Sequence, residues 1–228
     1  LQHAVVEESA DLGLAYDGDA DRLQAVDHEG QVVDGDQLLA IFARYLKAEG
    51  QLTNDLMVAT IMSNMGLKAA LRSIGVSVAE SQVGDRYVIE KMDETGAILG
   101  GEQSGHIIFK QYNTTGDGIM SSMKLLEIVK KSQSSLKELA AFMDKYPQVL
   151  VNVPVVRKEG WQQEAKIQEA IARAEAGLGE RGRILVRASG TENLLRVMVE
   201  GQDQAEIKTL AEALAAVVDG VLGKGSKS

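Results

Sequence analysis

The sequence predicts an α/β domain with a mixed sheet, followed by a smaller α+β domain. Apolar runs of strand length alternate with segments of helical periodicity as far as about residue 147, which is typical of α/β units. The two prolines of the chain, Pro147 and Pro154, bracket a strand-like stretch that marks the domain boundary. Beyond it, helices flank two strands joined by a polar loop, a pattern that favours α+β.

Hydrophobic spacing assigns each element in turn. In residues 37–48, for example, apolar side chains recur at helical spacing before Gly50. The first domain is predicted to contain strands over 23–27, 57–61 and 76–79, a strand pair flanking 100–106, and helices over 37–48, 66–74, 86–93, 116–131 (capped by Thr114 or Thr115) and 136–145. The second is predicted to contain strands over 149–153, 183–187 and 194–200 and helices over 163–176 and 204–222, with a frayed tail over 223–228.

Composition excludes several classes of protein. The 228 residues carry a formal charge of −9 and an ordinary share of apolar residues, so a disordered or collagen-like chain is excluded. The absence of cysteine excludes disulfides, zinc-thiolate sites and thiol nucleophiles. Lys and Arg are scattered among acids, which predicts no nucleic-acid partner. No run approaches the ~20 apolar residues of a membrane span, and the acidic N-terminus is unlike a signal peptide, so a cytoplasmic protein with no membrane partner is expected.

The first chemically informative loop holds Asp17, Asp19 and Asp21. Three carboxylates at alternate positions repel one another unless a cation compensates them. An EF-hand is rejected, because Arg22 and His28 stand where that loop needs glycine and glutamate. Two interpretations stay open: a Mg²⁺ site built from oxygen ligands, and a solvated acidic turn.

A second loop, residues 101–106, places polar side chains between glycines that allow close approach of a ligand. Glu102, Ser104 and His106 suit sugar hydroxyls, since each can accept or donate hydrogen bonds. Taken singly, each of these residues also fits an ordinary turn.

The third loop, residues 187–192, lies between two predicted strands. Ser189, Gly190 and Thr191 offer hydroxyl and backbone N–H groups for an anion, and Arg187 and Arg196 can hold phosphate oxygens. A polar hairpin with structural arginines is the alternative. A weaker signal is Arg86, which could reach an anion near a helix N-terminus or form a surface salt bridge.

Together these loops resemble the α-D-phosphohexomutase superfamily, and Gln103 favours its hexosamine branch. The similar stretches cover nearly the whole chain: residues 13–22, 33–37, 62–66, 83–87, 101–106, 112–118, 146–152 and 187–196. The resemblance implies a four-domain cytoplasmic enzyme in which residues 1–33 are a remnant of domain 2, 34–147 are domain 3 and 148–228 are domain 4. The start at Leu1 rather than Met suggests a portion of a longer chain.

The resemblance also implies the chemistry. Members move a phosphoryl group between the 6- and 1-positions of a hexose or hexosamine phosphate, through a bisphosphorylated sugar and an enzyme phosphoserine. Such an enzyme supplies amino-sugar nucleotide and peptidoglycan precursors, and a homodimer is implied. Asp17, Asp19 and Asp21 would hold Mg²⁺, the second loop would bind the sugar, and the third would bind phosphate, with Arg22 and Arg86 as accessory residues.

Three departures from the family pattern bear on these expectations. Ala20 stands where the family usually has glycine, which implies a tolerated backbone angle or an altered loop. Asn193 replaces a usual proline, which costs rigidity rather than ligands. The serine nucleophile's loop, of Ser-His-Asn type, does not occur in this sequence. The alternatives are a non-catalytic sugar-phosphate module, another phosphohexomutase, or an unrelated acidic metal-binding module.

The missing nucleophile gives a first prediction: this chain alone should show no mutase turnover. A coupled assay with glucosamine 6-phosphate and Mg²⁺ measures it. Appreciable turnover by the purified chain would contradict the prediction.

Overall fold

The computed structural model describes residues 1–223, so the tail expected to fray lies, from residue 224 onward, outside the described part. The chain divides into two compact units, Leu1–Lys145 and Tyr146–Ser228. Residues 1–33 belong to the first unit together with the α/β elements that follow. The three-part division implied by the resemblance stays a prediction.

The first unit consists of six helices and seven strands within its described residues. The first helix and the first strand were not expected from the sequence, whereas the turn residues 27–30 between Val26 and Val32 predict the hairpin that joins the second and third strands. In chain order, the helices and strands of the first unit are α1 (Gln2–Glu7), β1 (Leu12–Tyr16), β2 (Leu23–Asp27), β3 (Val32–Val33), α2 (Gly35–Ala48), β4 (Leu56–Thr60), α3 (Met65–Ser73), β5 (Ser77–Ser81), α4 (Asp85–Thr95), β6 (Leu99–Gly101), β7 (Ile107–Phe109), α5 (Gly118–Ser132) and α6 (Leu136–Ala140).

These strands form two sheets. Strands β1, β2 and β3 make an antiparallel sheet in sequence order. The other sheet has the order β5-β4-β6-β7, with β4 parallel to β5 and β6, and β7 antiparallel to β6. The mixed sheet predicted from the sequence is therefore confirmed.

Helices cover both faces of the mixed sheet, as the alternation along β4 requires. Met57 and Ala59 join the main core beneath α2 and α3. Val58 points to the other face and packs with Val88 and Met92 of α4. The carboxyl ends of β4 and β6 therefore lie in a rigid, layered frame, and β6 leads directly into the loop over residues 101–106.

The second unit is a three-stranded antiparallel sheet with two long helices. Its elements are β8 (Gln148–Pro154), α7 (Ala165–Leu178), β9 (Gly182–Ala188), β10 (Leu194–Gly201) and α8 (Gln204–Leu222), and the strand order is β8-β10-β9. Leu195, Val197 and Val199 of the central strand are buried against the helices. Arg196 alternates with these residues and so lies on the opposite face of the sheet.

Two predicted helices differ from the observed ones. The predicted start at residue 116, capped by a threonine, is wrong: α5 begins at Gly118, because the Asp117 carboxylate caps it by accepting from Met120 N–H at 2.8 Å. Helix α6 ends at Ala140 rather than residue 145. The following chain turns away and brings the Asp144 carbonyl against Gly66, where any Cβ would collide with it.

None of the helices described in residues 1–223 has both the length and the apolar character that crossing a bilayer requires.

Ala20, in the loop between β1 and β2, adopts a left-handed conformation with φ of 58°. Such a backbone is strained for a residue with a Cβ, by roughly 1–2 kcal/mol. Glycine, which the resembling family usually has at this position, would adopt this backbone angle without that strain.

We expect Ala20→Gly to raise the free energy of unfolding by up to about 1 kcal/mol, because glycine adopts positive φ without a steric penalty. Urea unfolding measures the change. The matched control is Ala15→Gly in β1, which should lower stability, since glycine weakens a strand. A loss of stability in both variants would contradict the strain argument.

Candidate functional site

The loop between β1 and β2 gathers the three predicted aspartates. Asp17, Asp19 and Asp21 offer carboxylate oxygens that lie within 4.8 Å of one another. A turn closed by the Ala20 N–H, which donates to the Asp17 carbonyl at 3.2 Å, allows this approach. The sequence pattern thus produces a real cluster of carboxylates on one side of the loop.

Arg22 supplies the nearest positive charge, but it neutralises the cluster only in part. Its Nε lies 3.7 Å from Asp17 Oδ2 and 3.8 Å from Asp21 Oδ1. Burial raises the pKa of Asp17, yet the hydrogen bond with Asp21, the hydrogen bond from Arg22 N–H and the charge of Arg22 together hold that pKa below its usual value. One guanidinium therefore lies near two of the three carboxylates.

One oxygen of the cluster is unsatisfied. Asp21 Oδ1 is buried and accepts no hydrogen bond from the described residues. A buried acceptor without a partner is costly. Carboxylate oxygens with residual negative charge are the donor set that a hard cation such as Mg²⁺ prefers, so these residues fit that ion.

His106 is buried beside this loop and supports Asp21. Its Nδ1 lies 3.0 Å from Asp21 Oδ2, and its Nε2 accepts from Gly116 N–H at 3.1 Å. Because a backbone N–H can only donate, the network assigns the proton of a neutral ring to Nδ1. Both ring nitrogens are engaged within the protein. The structure therefore gives His106 a different role from the expected contact with a sugar hydroxyl.

The loop over residues 101–106 is joined directly to the aspartate loop. Arg22 and His106 form an antiparallel β-bridge, and Leu23 N–H donates to the Gly105 carbonyl at 3.0 Å. Gly105 has φ of 93°, and a Cβ there would overlap the Leu23 carbonyl. Only glycine permits this close approach of the two loops.

Glu102 and Ser104 occupy the rim of the same loop. Ser104 is exposed. Glu102 is half-buried, and its Oε1 accepts from Gly84 N–H at 3.0 Å, which fixes the orientation of the carboxylate. The contact with Gly84 was not expected from the sequence. Arg86, two residues further on, instead pairs with Glu90 at 2.7 Å, as the alternative interpretation had it.

In the second unit, Arg187 and Arg196 are direct cross-strand partners on β9 and β10. Asn152 of β8 is opposite Arg196 on its other side. Like charges facing each other across a strand pair destabilise a sheet. Neither arginine has a carboxylate partner in the part of the chain that the structure describes, and Arg196 Nε is buried without an acceptor. This arrangement suits an anion.

The turn between these strands, residues 188–193, adds backbone donors. Ser189 is buried, its N–H donates to the Leu194 carbonyl, and its Oγ accepts from Glu192 N–H at 3.3 Å. Within residues 1–223, the N–H groups of Gly190 and Thr191 have no acceptor. Lys158, which sequence reasoning missed, contacts the carbonyls of this turn.

Family models match most of the chain. Residues 34–146 match phosphoglucomutase/phosphomannomutase alpha/beta/alpha domain III, and residues 150–217 match the C-terminal domain of the same family. The phosphoglucosamine mutase of Symbiobacterium thermophilum is 56% identical over 96% of this chain, and that of Desulforamulus reducens is 53% identical over 97%. The chain covers 49% and 50% of these two relatives, or about half their length.

Solved structures agree on the fold at low identity. Aspergillus fumigatus N-acetylphosphoglucosamine mutase, in complex with GlcNAc-6P and magnesium, has a TM-score of 0.76 and 21% identity over 91% of this chain and 52% of that one. A phosphoglucomutase/phosphomannomutase family protein from Burkholderia thailandensis has a TM-score of 0.75 and 21% identity over 99% of this chain and 50% of that one. With domains III and IV matched in order, the chain belongs to the phosphoglucomutase/phosphomannomutase family of phosphohexomutases.

Proposed function

We propose that this chain provides the metal, sugar and phosphate sites of a phosphoglucosamine mutase, which interconverts glucosamine 6-phosphate and glucosamine 1-phosphate. The observation that carries the proposal is the identity of more than half to phosphoglucosamine mutases over nearly the whole chain. The reaction implied for the family proceeds through a bisphosphorylated sugar and a phosphoserine, whose loop is not part of this sequence.

Asp17, Asp19 and Asp21 are the proposed Mg²⁺ ligands. Bound there, Mg²⁺ would supply neutralisation of the charge on a transferring phosphoryl group. The residues of this chain prepare the site: Arg22 offsets part of the repulsion, and His106 donates to Asp21 so that the carboxylate keeps one orientation.

Glu102 and Ser104 are the proposed readers of sugar hydroxyls. Glu102 is an acceptor already oriented by Gly84, and an oriented carboxylate binds a hydroxyl at a lower entropic cost than a mobile one. Ser104 can donate and accept. The β-bridge between Arg22 and His106 supports the view that the sugar and metal loops act as one assembly.

Arg187, Ser189, Gly190, Thr191 and Arg196 are the proposed phosphate site. The two guanidiniums can each offer paired N–H groups to phosphate oxygens, and the unpaired backbone N–H groups of the turn add neutral donors. The site contains no acidic side chain opposite the arginines, so an anion relieves their mutual repulsion.

We expect Asp21→Asn to weaken Mg²⁺ binding by about tenfold or more, because it removes a ligand charge from the cluster. Calorimetric titration of the chain with Mg²⁺ measures this. The matched control, Asp11→Asn, changes an exposed aspartate outside the cluster and should bind Mg²⁺ as the wild type does. Equal affinity in all three proteins would exclude Asp21 from the metal site.

We expect Arg196→Ala to weaken binding of glucosamine 6-phosphate by at least about tenfold, since a charge-assisted hydrogen bond contributes roughly 1.5–3 kcal/mol. Calorimetry with the sugar phosphate checks this. Arg173→Ala, an exposed change on α7 in the same unit, is the control. If the two variants bind equally well, the phosphate assignment is wrong.

A further inference from the structure

A single lysine side chain donates hydrogen bonds to the backbone carbonyls of the turn between β9 and β10. Lys158 lies between β8 and α7, and its Nζ donates to the Ser189 carbonyl at 2.8 Å and to the Gly190 carbonyl at 3.0 Å. The Glu192 carbonyl lies 3.5 Å away. Among the described residues, Lys158 has no carboxylate partner. Its ammonium group is therefore committed to the backbone of this turn.

Because the peptide bond is planar, the direction of the Ser189 and Gly190 carbonyls also determines the direction of the Gly190 and Thr191 N–H groups. The described backbone contains no cis peptide bond, and in a trans peptide the C=O of one residue is antiparallel to the N–H of the next. Holding the carbonyls of Ser189 and Gly190 toward Lys158 turns the N–H groups of Gly190 and Thr191 away from it. Neither of these two N–H groups has an acceptor among the described residues.

We propose that Lys158 is a positioning residue: it holds two consecutive carbonyls on one side of the turn and thereby forms an anion-binding nest from the Gly190 and Thr191 N–H groups. Consecutive N–H groups on one side of a turn make a concave site for a tetrahedral oxyanion such as a phosphate monoester. The inference rests on the proposed phosphate-binding role of residues 187–196 and adds how that site is shaped.

Two further features fit this role. An ammonium group has three donors and no acceptor, which matches a set of converging carbonyls. Without it, carbonyl oxygens would be free to turn toward the bound anion, and an acceptor facing an anion repels it. The Ser189 hydroxyl accepts a hydrogen bond from the Glu192 N–H, so that N–H group is already satisfied within the turn.

The test compares the wild-type chain with Lys158→Met and with Lys166→Met, an exposed lysine of α7 that serves as the control. Glucosamine 6-phosphate and inorganic phosphate are titrated calorimetrically, and the amide resonances of Gly190 and Thr191 are followed by NMR. We expect Lys158→Met to lose at least about tenfold in affinity for both ligands, with smaller shifts of the two amides on binding. Lys166→Met should behave as the wild type does.

The salt dependence of the affinity distinguishes a positioning role of Lys158 from simple electrostatic attraction of the anion. At about 0.5 M KCl the screening length falls to about 4 Å, so a long-range charge effect fades. A loss that persists at high salt supports positioning, whereas a loss confined to low salt overturns it. Lys158→Gln, which keeps a donor, provides a second variant if the Met variant does not fold, and it should also bind more weakly than the wild type.

The two proposals fail in different ways. A wild-type chain that binds neither ligand contradicts the phosphate assignment itself. Wild-type binding that Lys158→Met or Lys158→Gln matches contradicts the role of Lys158 alone.

Discussion

The arrangement of the first unit depends on one buried imidazole. His106 bonds Asp21 through one ring nitrogen and the Gly116 backbone through the other, and it is only 3% exposed. Three distant stretches of chain meet there: the aspartate loop, the loop after β6 and the approach to α5. Position 116 requires glycine, because a Cβ there would lie about 2.5 Å from the imidazole ring. Removing either hydrogen bond would leave a buried polar group unsatisfied.

The two candidate sites have opposite electrostatics. In the first, one guanidinium lies near two of three clustered carboxylates, and a buried carboxylate oxygen accepts no hydrogen bond from the described residues. In the second, two guanidiniums face each other across strands and leave a buried N–H without an acceptor. Each arrangement is unfavourable in isolation and is completed by a partner of the opposite sign. The proposed magnesium ion and phosphate group have the required signs of charge.

The sequence predicted well those elements whose bounds depend on local apolar spacing and capping residues. Helix α8 has the bounds expected from its apolar spacing, because Asp203 caps its first turn and Leu214 and Val218 face the core. The start of α5 was missed because the Asp117 carboxylate, rather than a threonine hydroxyl, caps the first turn. The contact of Lys158 with Ser189 joins residues 31 positions apart, and no local signal predicts it. The spacing of the aspartates, by contrast, indicated their cluster, although not the histidine behind it.

The cross-strand arginine pair has a thermodynamic consequence. Because Arg187 and Arg196 repel each other when no anion lies between them, the fold of the second unit is weakened by the same groups that are proposed to hold a phosphate. Any anion that binds the folded unit and not the unfolded chain must raise its stability by mass action. The affinity of this unit for an anion and its resistance to heat are therefore linked quantities at any given anion concentration.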